Sequence, residues 1–185
     1  MAHQLLTESL GITHVRAIVG FAMGGMQAFQ WAISYPEFAD RVVVTAATAR
    51  CYPHGVVMLE GVLAALQSAV DPKEGIHAFG TVWVGWLFSQ EWWRRELWRA
   101  DTSTGRTFDA VLAYYVNAFA RYDANDMMSQ VRTWERQAPD QRALEGIRVP
   151  VLYMPVTTDL YVPIGDARYE AQFIPRVTLA PIQSL

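Results

Sequence analysis

The six residues Gly20-Phe21-Ala22-Met23-Gly24-Gly25 restrict this chain more than any other stretch. Before them runs a short β-branched apolar segment, Val15 to Val19, which reads as a strand. After them, Gly24 to Ser34 carries Met26, Phe29 and Ile33 on one helical face with Ala28 and Ala32 beside it, and Pro36 ends the helix. A strand that enters a helix through so many glycines needs a sharp turn with backbones in close approach. Upstream, His3 to Leu10 places Leu5, Leu6 and Leu10 at helical spacing, with Gly11 as a C′ stop. Downstream, Arg41 to Thr48 reads "RVVVTAAT", a continuous apolar run suited to a strand buried on both faces of a parallel sheet. Helix, strand, helix, strand is α/β organisation.

The middle of the chain differs. From Gly55 to about Gln137 no segment reads as a strand. Helices are expected over Val56–Val70, Ile76–Phe88, Gln90–Trp98, Phe108–Tyr122 and Ala124–Arg136, with Asp123 as an N-cap and Asp71 to Gly75 as a turn. Strand character returns at Val149–Val156, followed by a loop, a helix over Ile164–Phe173 and a last strand over Arg176–Ile182. The expected architecture is an α/β core formed by residues 1–50 and 138–185, with a helical lid inserted at residues 51–137. The chain's 185 residues, 52% hydrophobic and 18% charged, suffice for a real core. A net charge of −3 without a run of like charge argues against a nucleic-acid surface. No apolar run has the length of a membrane span, and the N-terminus lacks the basic start of a signal peptide. Cys51 is the only cysteine, so an internal disulfide framework is excluded and a reducing, cytoplasmic setting is the default expectation.

Gly20, Ala22 and Gly24 have the spacing of a nucleophile elbow, G-x-S-x-G, with alanine where the serine belongs. In such a turn the Met23 N–H, just past the nucleophile position, is an oxyanion donor at a helix N-terminus. Asp159, in "TTDLYVP" just after a strand, suits either a triad acid that orients an imidazole or the cap of an Asx turn. The four histidines, His3, His14, His54 and His77, all precede Asp159, whereas the triad order places the base after the acid. His3 and His14 read as surface or structural residues, and His54 and His77 lie in the helical insertion. Cys51 has no histidine or asparagine spaced to form a thiolate pair and reads as a core residue. The tryptophan-rich stretch from Trp83 to Trp98 reads as packing between helices, with an aromatic ligand cage as the alternative. Glu91 and Arg95 form an i,i+4 pair on a solvated face. No metal-ligand cluster and no phosphate loop is evident, so no metal and no bound cofactor are expected.

The stretch "LLTESLGITHVRAIVGFAMGGMQAFQWAISYPEFADRVVVTAATAR" resembles the homoserine O-acetyltransferase family of α/β-hydrolases. The shared features are "LGI" before the strand, the glycines and "MQ" around the turn, "WAISYP" and "RVV" after it, and later "YDAND" and "TDLYVP". "LEGVLAAL" and "AFGTVWVGWLFSQEWWRRELWR" are more similar to the esterase-like branch. The resemblance implies an α/β-hydrolase with a helical lid that moves an acyl group through an acyl-serine, from acetyl-CoA to an alcohol or from a small ester to water. By the same resemblance Ala22 holds the nucleophile's place, Met23 gives an oxyanion N–H and Asp159 holds the acid's place. The chain departs from the family in lacking the nucleophile hydroxyl and a histidine after the last strand, and the family's first strands would precede Met1. The expectation is therefore a fragment truncated at both ends, without turnover of its own. The competing expectation is a non-catalytic binding protein, and a sheet edge left open makes a homodimer possible.

Overall fold

The computed structural model describes residues 2–100 and 102–184; Met1, Asp101 and Leu185, which include both expected domain ends, lie outside the described residues. Four strands form one parallel sheet in the order β1 (Ile18–Phe21), β2 (Val42–Thr45), β3 (Val151–Met154) and β4 (Val177–Leu179). The register sets Phe21 opposite Thr45 and Thr45 opposite Met154, so three strands end level at their carboxyl edge.

The strands are shifted or shortened relative to the sequence reading. Val15 makes only an isolated bridge to Ala39, and continuous pairing starts when the Ile18 N–H reaches the Arg41 carbonyl. β1 therefore runs into the glycine turn itself instead of ending at Val19. β2 stops at Thr45 because Ala46 has φ 49°, which turns the chain out of the sheet. β2 buries Val42 and Val44 fully and leaves Val43 and Thr45 half-buried, so the burial expected on both faces is complete on one of them only.

The described residues cluster into two compact units. The first gathers the chain up to Arg50, Ala138–Thr157 and Val162–Ser184. It opens with a short helix, α1 (Ala2–Gln4), continued by a wider π-type turn over Leu5–Ser9 and closed at Gly11, whose φ is 66°. Leu5 and Leu10 are exposed, so the apolar face expected of this segment is not buried among the described residues. α2 (Met23–Ser34) packs on β1 and β2 through Gly25, Met26, Ala28, Phe29 and Ala32. Phe29 is fully buried and meets the Tyr153 ring edge-on at 5.1 Å, the favoured geometry for two aromatic quadrupoles.

The second unit is Cys51–Gln137 with Thr158–Tyr161. It holds α3 (Pro53–Leu66), α4 (Pro72–Leu87), α5 (Gln90–Arg94), α6 (Phe108–Asn117) and α7 (Ala124–Glu135), and no strand among the described residues. Asp71 is no turn residue but the N-cap of α4, its carboxylate accepting from the Lys73 N–H at 2.9 Å. Ser89, Thr107 and Asp123 cap α5, α6 and α7 in the same way. The helix expected over Gln90–Trp98 breaks after Arg94, where Glu96 has φ 51°, and resumes as a 3-10 turn over Leu97–Ala100. The one expected over Phe108–Tyr122 tightens into a 3-10 turn after Asn117. Two helices return to the first unit: α8 (Gln141–Glu145), which has no counterpart in the sequence reading, and α9 (Ile164–Ala171).

Candidate active site

At the carboxyl end of β1 the chain turns on Ala22, which has φ 50° and ψ −123°. This lies outside the wells an L-residue favours and costs on the order of 1–3 kcal/mol. Hydrogen bonds on both sides hold it there. The Ala22 N–H donates to the Thr45 carbonyl at 3.0 Å, and the Ala22 carbonyl accepts from the N–H groups of Gly25 (2.8 Å) and Met26 (3.2 Å). Two glycines make the turn possible. A Cβ on Gly20 would lie 2.0 Å from the Gly24 carbonyl oxygen, and one on Gly25 would lie 2.6 Å from the Ala47 Cβ. A Cβ on Gly24 would meet nothing within 4 Å, so the close packing rests on Gly20 and Gly25 rather than on all three glycines.

Ala22 is exposed and Met23 is half-buried. Met23 is the first residue of α2, and the first N–H groups of a helix have no intrahelical acceptor. The helix dipole adds partial positive charge at the same place. Together these leave an exposed methyl group at a strained turn beside backbone donors suited to a developing negative charge.

The neighbouring strand end is held by a group that the sequence does not advertise. Glu170, on α9, is fully buried. Its carboxylate accepts from the Ala49 N–H at 2.8 and 3.0 Å, from the Arg50 N–H at 3.2 Å and from the Tyr153 hydroxyl at 2.9 Å. Charge-assisted bonds of this kind fix the loop after β2. An isolated glutamate in a short polar helix reads as a surface residue, and its partners stand 17 and 120 or more positions away, so no local pattern could find it.

Asp159 belongs to the helical unit. Its Oδ1 accepts from the Tyr161 N–H at 2.8 Å, an Asx turn. The Tyr161 ring lies 5.5 Å from Trp83 and 6.0 Å from Trp134. Burial first, and the Asp159 charge second, push the Tyr161 hydroxyl well above the ordinary phenol range, against a smaller opposing effect of the Trp83 N–H. Ala22 and Met23 thus share one turn of the sheet unit, and Asp159 stands in the other unit.

The histidines take structural places. His3 stacks on Tyr35 at 3.8 Å. His14 bridges the Asp40 carboxylate at 3.0 Å and the Glu37 carbonyl at 2.9 Å. Those two hydrogen bonds, Asp40's first, hold its pKa above the ordinary value. His54 lies edge-on to Trp86, and His77 is exposed, its carbonyl accepting from the Thr81 hydroxyl. Cys51 is buried with its thiol 3.9 Å from the Tyr52 carbonyl. The tryptophans pack ring on ring: Phe88 stacks on Trp92 at 3.8 Å, and Trp83 stacks on Phe79 at 5.0 Å. Glu91 pairs mainly with Arg94 at 2.6–2.9 Å, and the expected partner Arg95 stands at 3.9 Å. Among the described residues no group of three or more His, Cys, Asp or Glu side chains could hold a metal ion, and no helix is long and apolar enough to cross a membrane.

A parallel sheet whose first strand enters a helix through this strained turn agrees with the family comparison, in which residues 1–182 match the alpha/beta hydrolase fold model. The chain belongs to the alpha/beta hydrolase fold family. Within that family it is similar to an ethyl acetate hydrolase of Pseudomonas veronii, at 26% identity over 200 residues, covering 99% of this chain and 57% of that protein. It is also similar to a homoserine O-acetyltransferase of Deinococcus radiodurans, at 26% identity over 179 residues, covering 92% of this chain and 51% of that one. A solved acetylester hydrolase from Corynebacterium glutamicum superposes with a TM-score of 0.89 at 24% identity, over 99% of this chain and 57% of its own, and supports the fold. This α/β hydrolase chain thus spans about 51–57% of the length of the relatives it matches along most of its length.

Proposed function

We propose that this chain is the framework of an acyl-transfer α/β hydrolase, of the ester-hydrolase or O-acetyltransferase kind, in which Ala22 stands at the nucleophile position of the elbow. One observation carries the reading: Ala22 keeps φ 50° and ψ −123°, a conformation that presents a side chain at the tip of a strand-to-helix turn. In this reading a serine hydroxyl at position 22 would attack the carbonyl carbon of an ester or of acetyl-CoA. The carbonyl oxygen would gain negative charge beside the Met23 N–H, and the alcohol or thiol would leave as the acyl-serine formed, taking up the serine's proton through a base that none of the four histidines here is placed to supply. Asp159 takes the place of the acid that orients the base. The acceptor would be water or a small alcohol, in a cytoplasmic setting.

A methyl group offers no electron pair to a carbonyl. Removing the nucleophile of a triad costs on the order of 10⁶-fold in turnover, so the chain with alanine is a pseudoenzyme in this reading. The test compares the chain with Ala22→Ser, using p-nitrophenyl acetate and acetyl-CoA and detecting acetylated protein by intact mass. The expected result is no turnover and no adduct with alanine, and with serine, which has no imidazole after Asp159 to take its proton, only a slow adduct mapped to position 22 and no turnover. Turnover by the alanine form, or an adduct elsewhere, would sink the reading.

A second reading is favoured by β1. This strand ends the sheet order, and Val19 and Phe21 on it are 72% and 71% exposed. An unpaired edge with such side chains is a template for pairing with another strand. Here the chain is a non-catalytic module that self-associates through β1, and sedimentation velocity across a concentration series decides it.

A further inference from the structure

A buried carboxylate is destabilising unless it is hydrogen-bonded, and apolar residues of similar size often serve stability as well. Glu170 is fully buried all the same, and the groups it holds lead to the turn at position 22 by two routes within the sheet unit. The first route is the chain itself. From Ala49, whose N–H donates to both Glu170 oxygens, the backbone runs back through Thr48, Ala47 and Ala46 to Thr45. Ala47 and Ala49 are 1% and 0% exposed, so a close-packed interior surrounds this stretch and passes on its displacements. Ala47 abuts the turn, its Cβ lying 2.6 Å from where a Gly25 Cβ would stand. The Gly25 N–H donates to the Ala22 carbonyl at 2.8 Å, and the Ala22 N–H donates to the Thr45 carbonyl at 3.0 Å. A bond on each side of position 22 therefore depends on where residues 45–47 lie.

The second route is Tyr153. Its hydroxyl donates to Glu170 at 2.9 Å, and its buried ring meets Phe29 edge-on at 5.1 Å. Phe29 belongs to α2, whose first residue is Met23. One carboxylate thus holds both the wall on which the turn packs and the ring on which its helix packs. We infer that Glu170 is a positioning residue for the proposed acyl-transfer site. Through residues 45–49 and Tyr153 it keeps position 22 and the Met23 N–H aimed as a reacting carbonyl group requires. The chemistry of this inference rests on the acyl-transfer reading, and the coupling rests on the bonds and packing of the sheet unit. If Glu170 only anchored its loop, replacing it would lower stability and leave the turn as it is.

The test puts Glu170→Gln and Tyr153→Phe into the whole chain, each with alanine and with serine at position 22. Leu144→Ala, which empties a buried position on α8, is the control for lost stability alone. With alanine, nitrogen-15 spectra follow the amide signals of Ala22, Met23 and Gly25 under conditions where each protein is folded. With serine, intact mass follows the slow adduct formed from p-nitrophenyl acetate. Glu170→Gln is expected to move all three signals and to slow the adduct about ten-fold, part of the roughly 10²-fold that a misplacement of about 1 Å can cost. Tyr153→Phe leaves the carboxylate on the Ala49 and Arg50 N–H groups and is expected to move the Met23 signal and slow the adduct less. Leu144→Ala is expected to change neither readout. The inference is overturned if Glu170→Gln, or Tyr153→Phe where Glu170→Gln does not fold, leaves the three signals in place. It is also overturned if Leu144→Ala moves them as far, or if the adduct forms as fast in Glu170→Gln as in the parent. No adduct in any serine form, with the signals moved by Glu170→Gln and not by Leu144→Ala, counts against the acyl-transfer reading and leaves the coupling standing.

Discussion

Replacing Glu170 tests whether the loop after β2 is held by one buried carboxylate. In Glu170→Ala, three donors lose their acceptor: the Ala49 N–H, the Arg50 N–H and the Tyr153 hydroxyl. Leaving a buried donor unmet costs about 1–3 kcal/mol each, and breaking a buried charged network by removing one partner costs about 3–5 kcal/mol in total. The lower part of that range is expected, because the space vacated by a glutamate side chain can admit water to some of these donors. Glu170→Gln retains one acceptor oxygen but turns an amide N–H₂ toward backbone donors, so about 2 kcal/mol is expected. Tyr153→Phe removes one donor and leaves the carboxylate two backbone partners, so about 1 kcal/mol is expected. Urea denaturation of the four proteins should move the midpoint in that order with an unchanged slope. Hydrogen exchange at Ala49 and Arg50 should quicken in Glu170→Ala even where the global midpoint is hard to fit. A loss below about 1 kcal/mol for Glu170→Ala, with both amides still protected, would refute the assignment of this carboxylate as the loop's anchor.

The strain at position 22 predicts that Ala22→Gly stabilises the chain by about 1 kcal/mol, because glycine adopts φ 50° freely and the relief exceeds its added unfolded-state entropy; a destabilised variant in urea melts would contradict this. His14 has a folded pKa raised by the Asp40 and Glu37 hydrogen bonds. Its contribution to stability is therefore full below the unfolded value near 6.5 and lost as pH rises through the folded pKa. The difference in melting midpoint between the parent and Asp40→Asn should shrink over that rise, and a difference that grows would refute it. Phe21→Lys places a charge on the open face of β1 and should abolish concentration-dependent sedimentation if self-association runs through that edge.

The parts of the fold legible in the sequence are those with local causes. The helix Met23–Ser34 announced itself through Met26 and Phe29 at helical spacing, and Asp123 through its place before an amphipathic run. The strand Val42–Thr45 is legible as an unbroken apolar run, although the two-sided burial that such a run implies is full only at Val42 and Val44. What stayed hidden depends on partners distant in sequence or on a single backbone angle. Nothing in "GDARYEAQF" shows that Glu170 turns inward to meet residues 120 positions earlier. Ala46 and Glu96 end a strand and a helix by adopting positive φ, and neither residue type advertises it. Asp71 was legible in principle, since a carboxylate before Pro72 is a regular helix start, but its proximity to Gly75 made the segment resemble a turn.

Position 22 brings the two kinds of evidence together. Glycine spacing marks the turn, but spacing alone is equally compatible with a featureless bend. The backbone angle is the stronger fact. An L-residue at φ 50° works against the fold, as Ala46 and Glu96 do at similar angles, so the strain marks the position without naming its role. Gly20 and Gly25 are obligatory on steric grounds, at 2.0 and 2.6 Å from would-be clashes, and among the residues between them Ala22 is the one at the strained angle, with its side chain exposed. That arrangement is the one the proposed acyl-transfer reading needs at position 22. Substituting serine at position 22 tests the proposed acyl-transfer reading with little disturbance to the turn.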